Sequence, residues 1–246
     1  YDEETRDFYF GVYSYVLPFR NFKINILTGA EQPFFSANNR AKATLFPINY
    51  FETKTISYQS RDNVMIPITI IYKKGMLLDG NNPTLLKAYG GFGVVSSPSY
   101  DTGLLYFLEK GGVFAYPEIR GGGEKGKKWH TDGKGLTKMN TFNDFIDAAE
   151  FLIKEKYTSA NKLAITGASQ GGLLVGVAMT KRPDLFKVAI PKVGLFDMVK
   201  FQNYTTGKYW LDEYGDGEKE NEYKNLLDFS PFHNIKEDVN YPTTLI

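Results

Sequence analysis

Within this chain of 246 residues, Gly167-Ala168-Ser169-Gln170-Gly171-Gly172 holds the side chain best placed to do chemistry. A short apolar run, Leu163-Ala164-Ile165, leads into it, and an apolar stretch over residues 173–179 leads out. Gly-x-Ser-x-Gly between a strand and a helix reads as a nucleophile elbow. The bend is so tight that small residues must flank the serine, and its hydroxyl is lifted clear of the sheet. The helix that follows aims its first amides at the reacting carbonyl. A Gly-rich turn with an incidental serine is the competing reading; the strand before and the helix after favour the nucleophile.

A serine hydroxyl is a weak nucleophile until a base lies within hydrogen-bond reach and a third group orients that base. In an α/β-hydrolase arrangement the chain order is Ser, then Asp or Glu, then His. The first strand past the elbow is read at residues 188–193 and the second from Pro242 onward. The acid and the base are therefore expected beyond Ile246, leaving this chain with the nucleophile and neither triad partner. His233 follows Ser169 but precedes that second strand, and it reads as structural. His130 precedes the serine in a Gly- and Lys-rich loop and reads the same way. Residues 121–126 can be laid on G-x-G-x-x-G, but they run on into what reads as loop around Trp129 and Gly133, so a dinucleotide site is rejected. Asp216-Gly217-Glu218 lacks the alternating acidic ligands of a calcium loop and reads as a solvated turn.

The elements that must hold the serine follow from pattern. Residues 1–45 are β-rich: runs at 8–10, 12–16 and 23–27 are aromatic and β-branched, with Pro18 and Thr28-Gly29 as punctuation. Residues 53–59 and 64–72 read as a hairpin turning at Arg61-Asp62-Asn63. Strands are then expected at 84–89, 112–115, 163–166 and 188–193, with a short helix at 104–109. The clearest helix spans 141–156, with Phe142, Phe145, Ile146, Ala149, Leu152 and Ile153 at three- and four-residue steps. Asn140 or Thr141 is expected to cap it, with Asp144 in its first turn. Such alternation implies α/β architecture: a mainly parallel sheet covered on both faces. Residues 197–240 show no long periodic segment.

Composition narrows the function classes. The hydrophobic fraction is 42%, the charged fraction 23% and the net charge +1, which is ordinary for a globular protein and makes no electrostatic case for nucleic acid or an anionic membrane surface. The densest basic group, residues 125–128, reads as solvated loop. There are no cysteines, which excludes disulfides, thiolate catalysis and Cys-based zinc sites. Two histidines are too few for a His-rich metal site, so no metal is expected. No apolar run approaches the ~20 residues that span a bilayer. The chain opens at Tyr1 with neither an initiator methionine nor a signal segment, and is expected to be an internal piece of a longer protein whose compartment is left open.

Five motifs in register carry a family likeness: Tyr89-Gly90-Gly91-Phe92, Arg120-Gly121-Gly122-Gly123-Glu124, the Ser169 elbow, Arg182-Pro183-Asp184-Leu185-Phe186, and a block running from Asp197-Met198 through Phe201, Tyr204-Thr205, Gly207 and Trp210 to Tyr214-Gly215. Together they resemble the prolyl oligopeptidase family of serine peptidases. The resemblance implies that Ser169 is the nucleophile and that the Gln170 backbone N–H and the Tyr89 hydroxyl form the oxyanion hole. It implies that Trp210, Phe92, Tyr214 and Leu195 wall a slot for a substrate proline ring. Core packing is the alternative for each aromatic, and without the resemblance it is the preferred one for Tyr89. Family members often have asparagine where Gln170 stands and valine where Leu195 stands. The resemblance further implies an α/β-hydrolase domain over residues 46–246, incomplete here, preceded over 1–45 by the last strands of a β-propeller. The expected activity of the full-length protein, expected to be monomeric, is hydrolysis of short peptides after proline through an acyl-enzyme, with no cofactor; the fragment alone is expected to be silent. Oligopeptidase B-type cleavage after basic residues, a lipase or esterase on the same fold, and a non-catalytic binding module are the alternatives.

Overall fold

The computed structural model describes residues 1–34, 45–47 and 49–246. The expected domain limit at residue 45 adjoins residues 35–44, which lie outside that description.

Near the N-terminus, β1 (Asp7–Val12), β2 (Arg20–Asn25) and β3 (Glu31–Pro33) form an antiparallel sheet in the order β1-β2-β3. Phe10 lies opposite Phe22 and their rings stack at 5.7 Å. Of the run expected at 12–16, only Val12 is in a strand, the end of β1. Ser14 Oγ accepts the amides of Val16 and Leu17, at 3.2 and 3.0 Å, and this local hydroxyl–backbone turn ends the ladder. The chain then lays Tyr15 against Phe114 at 5.2 Å and Tyr116 at 6.3 Å.

The main sheet runs β10-β9-β8-β6-β7-β5-β4. The hairpin β4 (Phe51–Gln59) and β5 (Met65–Lys73) is antiparallel, and β5 pairs antiparallel with β7 (Val113–Pro117). From β7 onward, β6 (Thr84–Lys87), β8 (Leu163–Ala168), β9 (Val188–Lys192) and β10 (Thr243–Thr244) are all parallel. The side-chain period of two sorts two cores: Ile68, Ile70, Val113 and Ala115 join the larger one, while Ile71, Phe114 and Tyr116 join a smaller one on the other face.

The larger core is closed by α3 (Met139–Lys154) and α4 (Gln170–Lys181). On α3, Phe142, Phe145, Ile146, Ala149 and Leu152 are buried, the stripe expected from their spacing. Its start differs from expectation: Lys138 is the N-cap, and Asn140 and Thr141 lie inside the helix. Their side chains donate instead to the carbonyls of Asp132 and Gly133, so the polar groups that resemble a cap fasten the preceding loop. Asp144, consequently beyond the first turn, accepts Arg120 Nη2 at 2.6 Å and Ser60 Oγ at 2.7 Å. Arg120 also donates to Asp62 at 2.5 Å, so one buried guanidinium ties the hairpin turn to α3; a buried charge needs such partners.

The smaller core is closed by α1 (Thr102–Glu109), whose N-cap Asp101 accepts the amides of Gly103 and Leu104. Three further helices stand where loop or aperiodic sequence was read: α2 (Lys127–Thr131), α5 (Leu211–Tyr214) and α6 (Glu220–Asp228), with the one-turn α7 (Pro231–Asn234) after them. The basic group at 125–128 is not simply solvated. Lys125 lies 4.4 Å from the Trp129 ring centroid and donates to the Met65 carbonyl. The strand expected from Pro242 is a short pairing beside β9 with exposed residues rather than a core strand.

Candidate active site

The site begins at the junction of β8 and α4. Ser169 sits at φ 57°, ψ −118°, a left-handed backbone that a non-glycine residue rarely adopts and that recurs at functional sites. Three bonds hold it. The Ser169 amide donates to the Lys192 carbonyl at 2.9 Å, and the Ser169 carbonyl accepts Gly172 and Leu173 amides at 2.9 and 3.1 Å. These begin the helix while the Gln170 amide, at its first position, needs no intrahelical acceptor. The serine is exposed, as the nucleophile expected here would have to be. The elbow is closely packed against backbone at Gly167, Gly171 and Gly172, and at Gly171 a Cβ would stand 2.7 Å from the Ala88 carbonyl. That contact presses the end of β6, and Tyr89 behind it, against the elbow.

A cavity of about 1170 Å³ opens at this point; Ser169, Tyr89, Lys192, Ser96, Tyr116 and Tyr15 are among its lining residues. Ser169 and Tyr89 therefore share one open space. The other expected site residues gather differently. Phe92, at φ 57°, meets Tyr214 edge-to-face at 5.7 Å, and Tyr214 meets Phe201 in the same way at 5.3 Å. Leu195 and Trp210 are half-buried against the larger core. None of Phe92, Leu195, Trp210 or Tyr214 lines the cavity that holds Ser169 and Tyr89.

Gln170 connects the two groups. Its side chain is buried, donates to the Gly90 carbonyl at 3.2 Å and accepts the Tyr214 hydroxyl at 2.8 Å. Burial pushes the Tyr214 hydroxyl well above its ordinary pKa, so it stays a donor. The residue after the serine thus presents its amide at the helix start and, through its side chain, holds both Gly90 and Tyr214.

Among the described residues, neither histidine is hydrogen-bonded to the Ser169 hydroxyl; each has another partner. His233 Nδ1 pairs with Ser230 Oγ at 2.8 Å, on α7. His130, on α2 rather than in a loop, pairs through Nε2 with Glu213 Oε2 at 2.8 Å. The other Glu213 oxygen accepts Lys138 Nζ at 2.6 Å, and Lys138 and Glu213 are both buried. Sequence reading did not single out Lys138 or Glu213. The available signal was a carboxylate inside the aromatic block, Leu211-Asp212-Glu213-Tyr214, since a buried carboxylate requires a counter-charge.

The sequence pattern of the prolyl oligopeptidase family matches residues 98–246. A prolyl endopeptidase of Elizabethkingia meningoseptica is 42% identical over 246 residues, covering 100% of this chain and 34% of that protein. A prolyl endopeptidase of Dictyostelium discoideum is 43% identical over 205 residues, 82% of this chain and 27% of the relative. Among solved structures, a post-proline cleaving enzyme from Rickettsia typhi superposes with a TM-score of 0.88 at 34% identity, covering 99% of this chain and 35% of that one. Prolyl oligopeptidase B from Galerina marginata, bound to a 25mer macrocyclization substrate, superposes with a TM-score of 0.90 at 34% identity, covering 99% of this chain and 34% of that one. The chain spans about a third of the length of curated relatives that it matches along its whole length.

Proposed function

Because this chain belongs to the prolyl oligopeptidase family, with the α/β-hydrolase fold of its solved relatives, we propose that it is the nucleophile-bearing part of a serine endopeptidase that cleaves short peptides after proline. The observation that carries the reading is the meeting at Gln170: one residue joins the strained Ser169 elbow, the Tyr89-Gly90 loop and the Tyr214 wall.

The mechanism follows from where charge develops. Ser169 Oγ attacks the carbonyl carbon of the scissile bond while its proton passes to a histidine base. The carbonyl oxygen gains negative charge and accepts from the Gln170 amide and the Tyr89 hydroxyl, donors fixed before the reaction. The C–N bond then breaks, the amine leaves with the proton, and water hydrolyses the ester on Ser169. On this reading the base and its orienting acid follow Ile246 in the full-length protein. The three-stranded sheet of the first 34 residues is then the end of a β-propeller, and the hydrolase domain starts at about residue 46.

Proline preference rests on the family likeness and on the apolar character of four side chains, of which Phe92 and Tyr214 are in contact. Phe92, Tyr214, Trp210 and Leu195 suit a pyrrolidine ring, which offers no side-chain donor to satisfy. The carboxylate beside those walls does not suit a basic substrate side chain, since Glu213 is already paired with Lys138 and His130. The full-length protein should hydrolyse a chromogenic peptide with proline before the scissile bond. Cleavage after lysine or arginine instead, or none, would refute the assignment.

A further inference from the structure

Behind the Tyr89–Phe92 loop, hydrogen bonds close into a ring, two of whose members, Lys138 and Glu213, take no step in the proposed chemistry. Lys138 Nζ donates to the Gly90 carbonyl at 3.1 Å and to Glu213 Oε1 at 2.6 Å. Gln170 Nε2 donates to that same Gly90 carbonyl at 3.2 Å, and Gln170 Oε1 accepts the Tyr214 hydroxyl at 2.8 Å. Glu213 and Tyr214 are consecutive on α5, so the ring is complete: Lys138, Gly90, Gln170, Tyr214, Glu213. The loop is pressed onto it, for a Cβ at Gly91 would stand 2.6 Å from Gln170 Cγ and 3.2 Å from Glu213 Oε1.

Lys138 is an unfavourable residue for this place on packing grounds alone. Its side chain is fully buried, where an apolar side chain of similar volume would avoid the desolvation cost. It is the N-cap of α3, where positive charge opposes the helix dipole. Burial pushes its ammonium below the ordinary lysine value, and Glu213 opposes that shift. What the ammonium supplies and a methyl group could not is a donor reaching the Gly90 carbonyl and the α5 carboxylate together.

We propose that Lys138 is a positioning residue: clamped between Gly90 and Glu213, it fixes the Tyr89 side of the oxyanion hole relative to the Tyr214 wall, and so couples recognition of the proline ring to stabilisation of the developing oxyanion. The inference rests on the peptidase reading above. It concerns alignment at the transition state, so its signature lies in kcat and in the preference for proline rather than in stability.

The discriminating variant is the double substitution Lys138→Met with Glu213→Gln in the full-length protein, which removes both buried charges and leaves neither unpaired. A melting temperature near that of the unsubstituted protein is expected. With it should come a kcat lower by ~10- to 100-fold, the loss that a misplacement of about an ångström brings, and a reduced preference for proline over alanine before the scissile bond. Unchanged kcat and unchanged preference would overturn the proposal. Should the double variant fail to fold, Lys138→Arg, which keeps a positive charge beside Glu213 but replaces the single ammonium between that carboxylate and the Gly90 carbonyl with a planar guanidinium, is read in the same way: lower kcat with reduced preference supports the clamp, and values equal to the unsubstituted protein overturn it. If the unsubstituted protein does not cleave the proline peptide at all, the peptidase reading falls and this inference with it.

Discussion

At the scale of the residue, Ser169 holds an unfavourable backbone so that one hydroxyl stands free, with Gln170 and Tyr89 as the donors proposed beside it. Tyr89→Phe removes one donor and keeps the ring, so it isolates the hydroxyl. A loss of about 10²–10³-fold in kcat is expected, with KM little changed. Steady-state kinetics on the proline peptide checks this, and a wild-type kcat would return Tyr89 to a packing role. Ser169 was legible in the sequence because a tight bend demands small neighbours, and that demand is local. Lys138 and Glu213 were not, because they are 75 residues apart and nothing local to either announces the other. His130 gave the same difficulty: its partner lies 83 residues on.

At the scale of the element, the contact that would place the proposed oxyanion donors is the close approach of α4 to the end of β6. Gly171→Ala would set a methyl 2.7 Å from the Ala88 carbonyl and force Tyr89 away from Ser169. Phosphonylation of Ser169 by a fluorophosphonate should slow by on the order of 10²-fold with the circular dichroism spectrum unchanged. Equal labelling rates would show that this contact does not set the site. The hairpin, most strands of the main sheet and α3 were readable from their apolar patterns, since burial imposes them. Cap positions were misread because Asn140 and Thr141 serve the loop before the helix instead. The missed helices are short or polar: α2 and α5 have 5 and 4 residues, and α6 buries only Leu226, too little to make a periodic signal.

At the scale of the whole molecule, the seven-stranded sheet brings the ends of β6, β8 and β9 together. That is how Tyr89, Ser169 and Lys192, distant in sequence, come to line one cavity. The parallel core and the hairpin were legible as a class of fold, but the strand order was not, because it is decided by crossovers rather than by any one segment. Expected coverage of both sheet faces holds in part. The smaller core reaches over β5 and β7, and the cavity opens along β6, β8 and β9. Tyr15 reaches from the N-terminal segment to that opening, joining the small sheet to the hydrolase sheet.

The most direct test of the account is to treat the full-length protein with a fluorophosphonate and locate the adduct by peptide mass spectrometry. We expect a single adduct on Ser169, absent after heat denaturation and absent in Ser169→Ala. An adduct on another residue, or none on a folded protein, would contradict it.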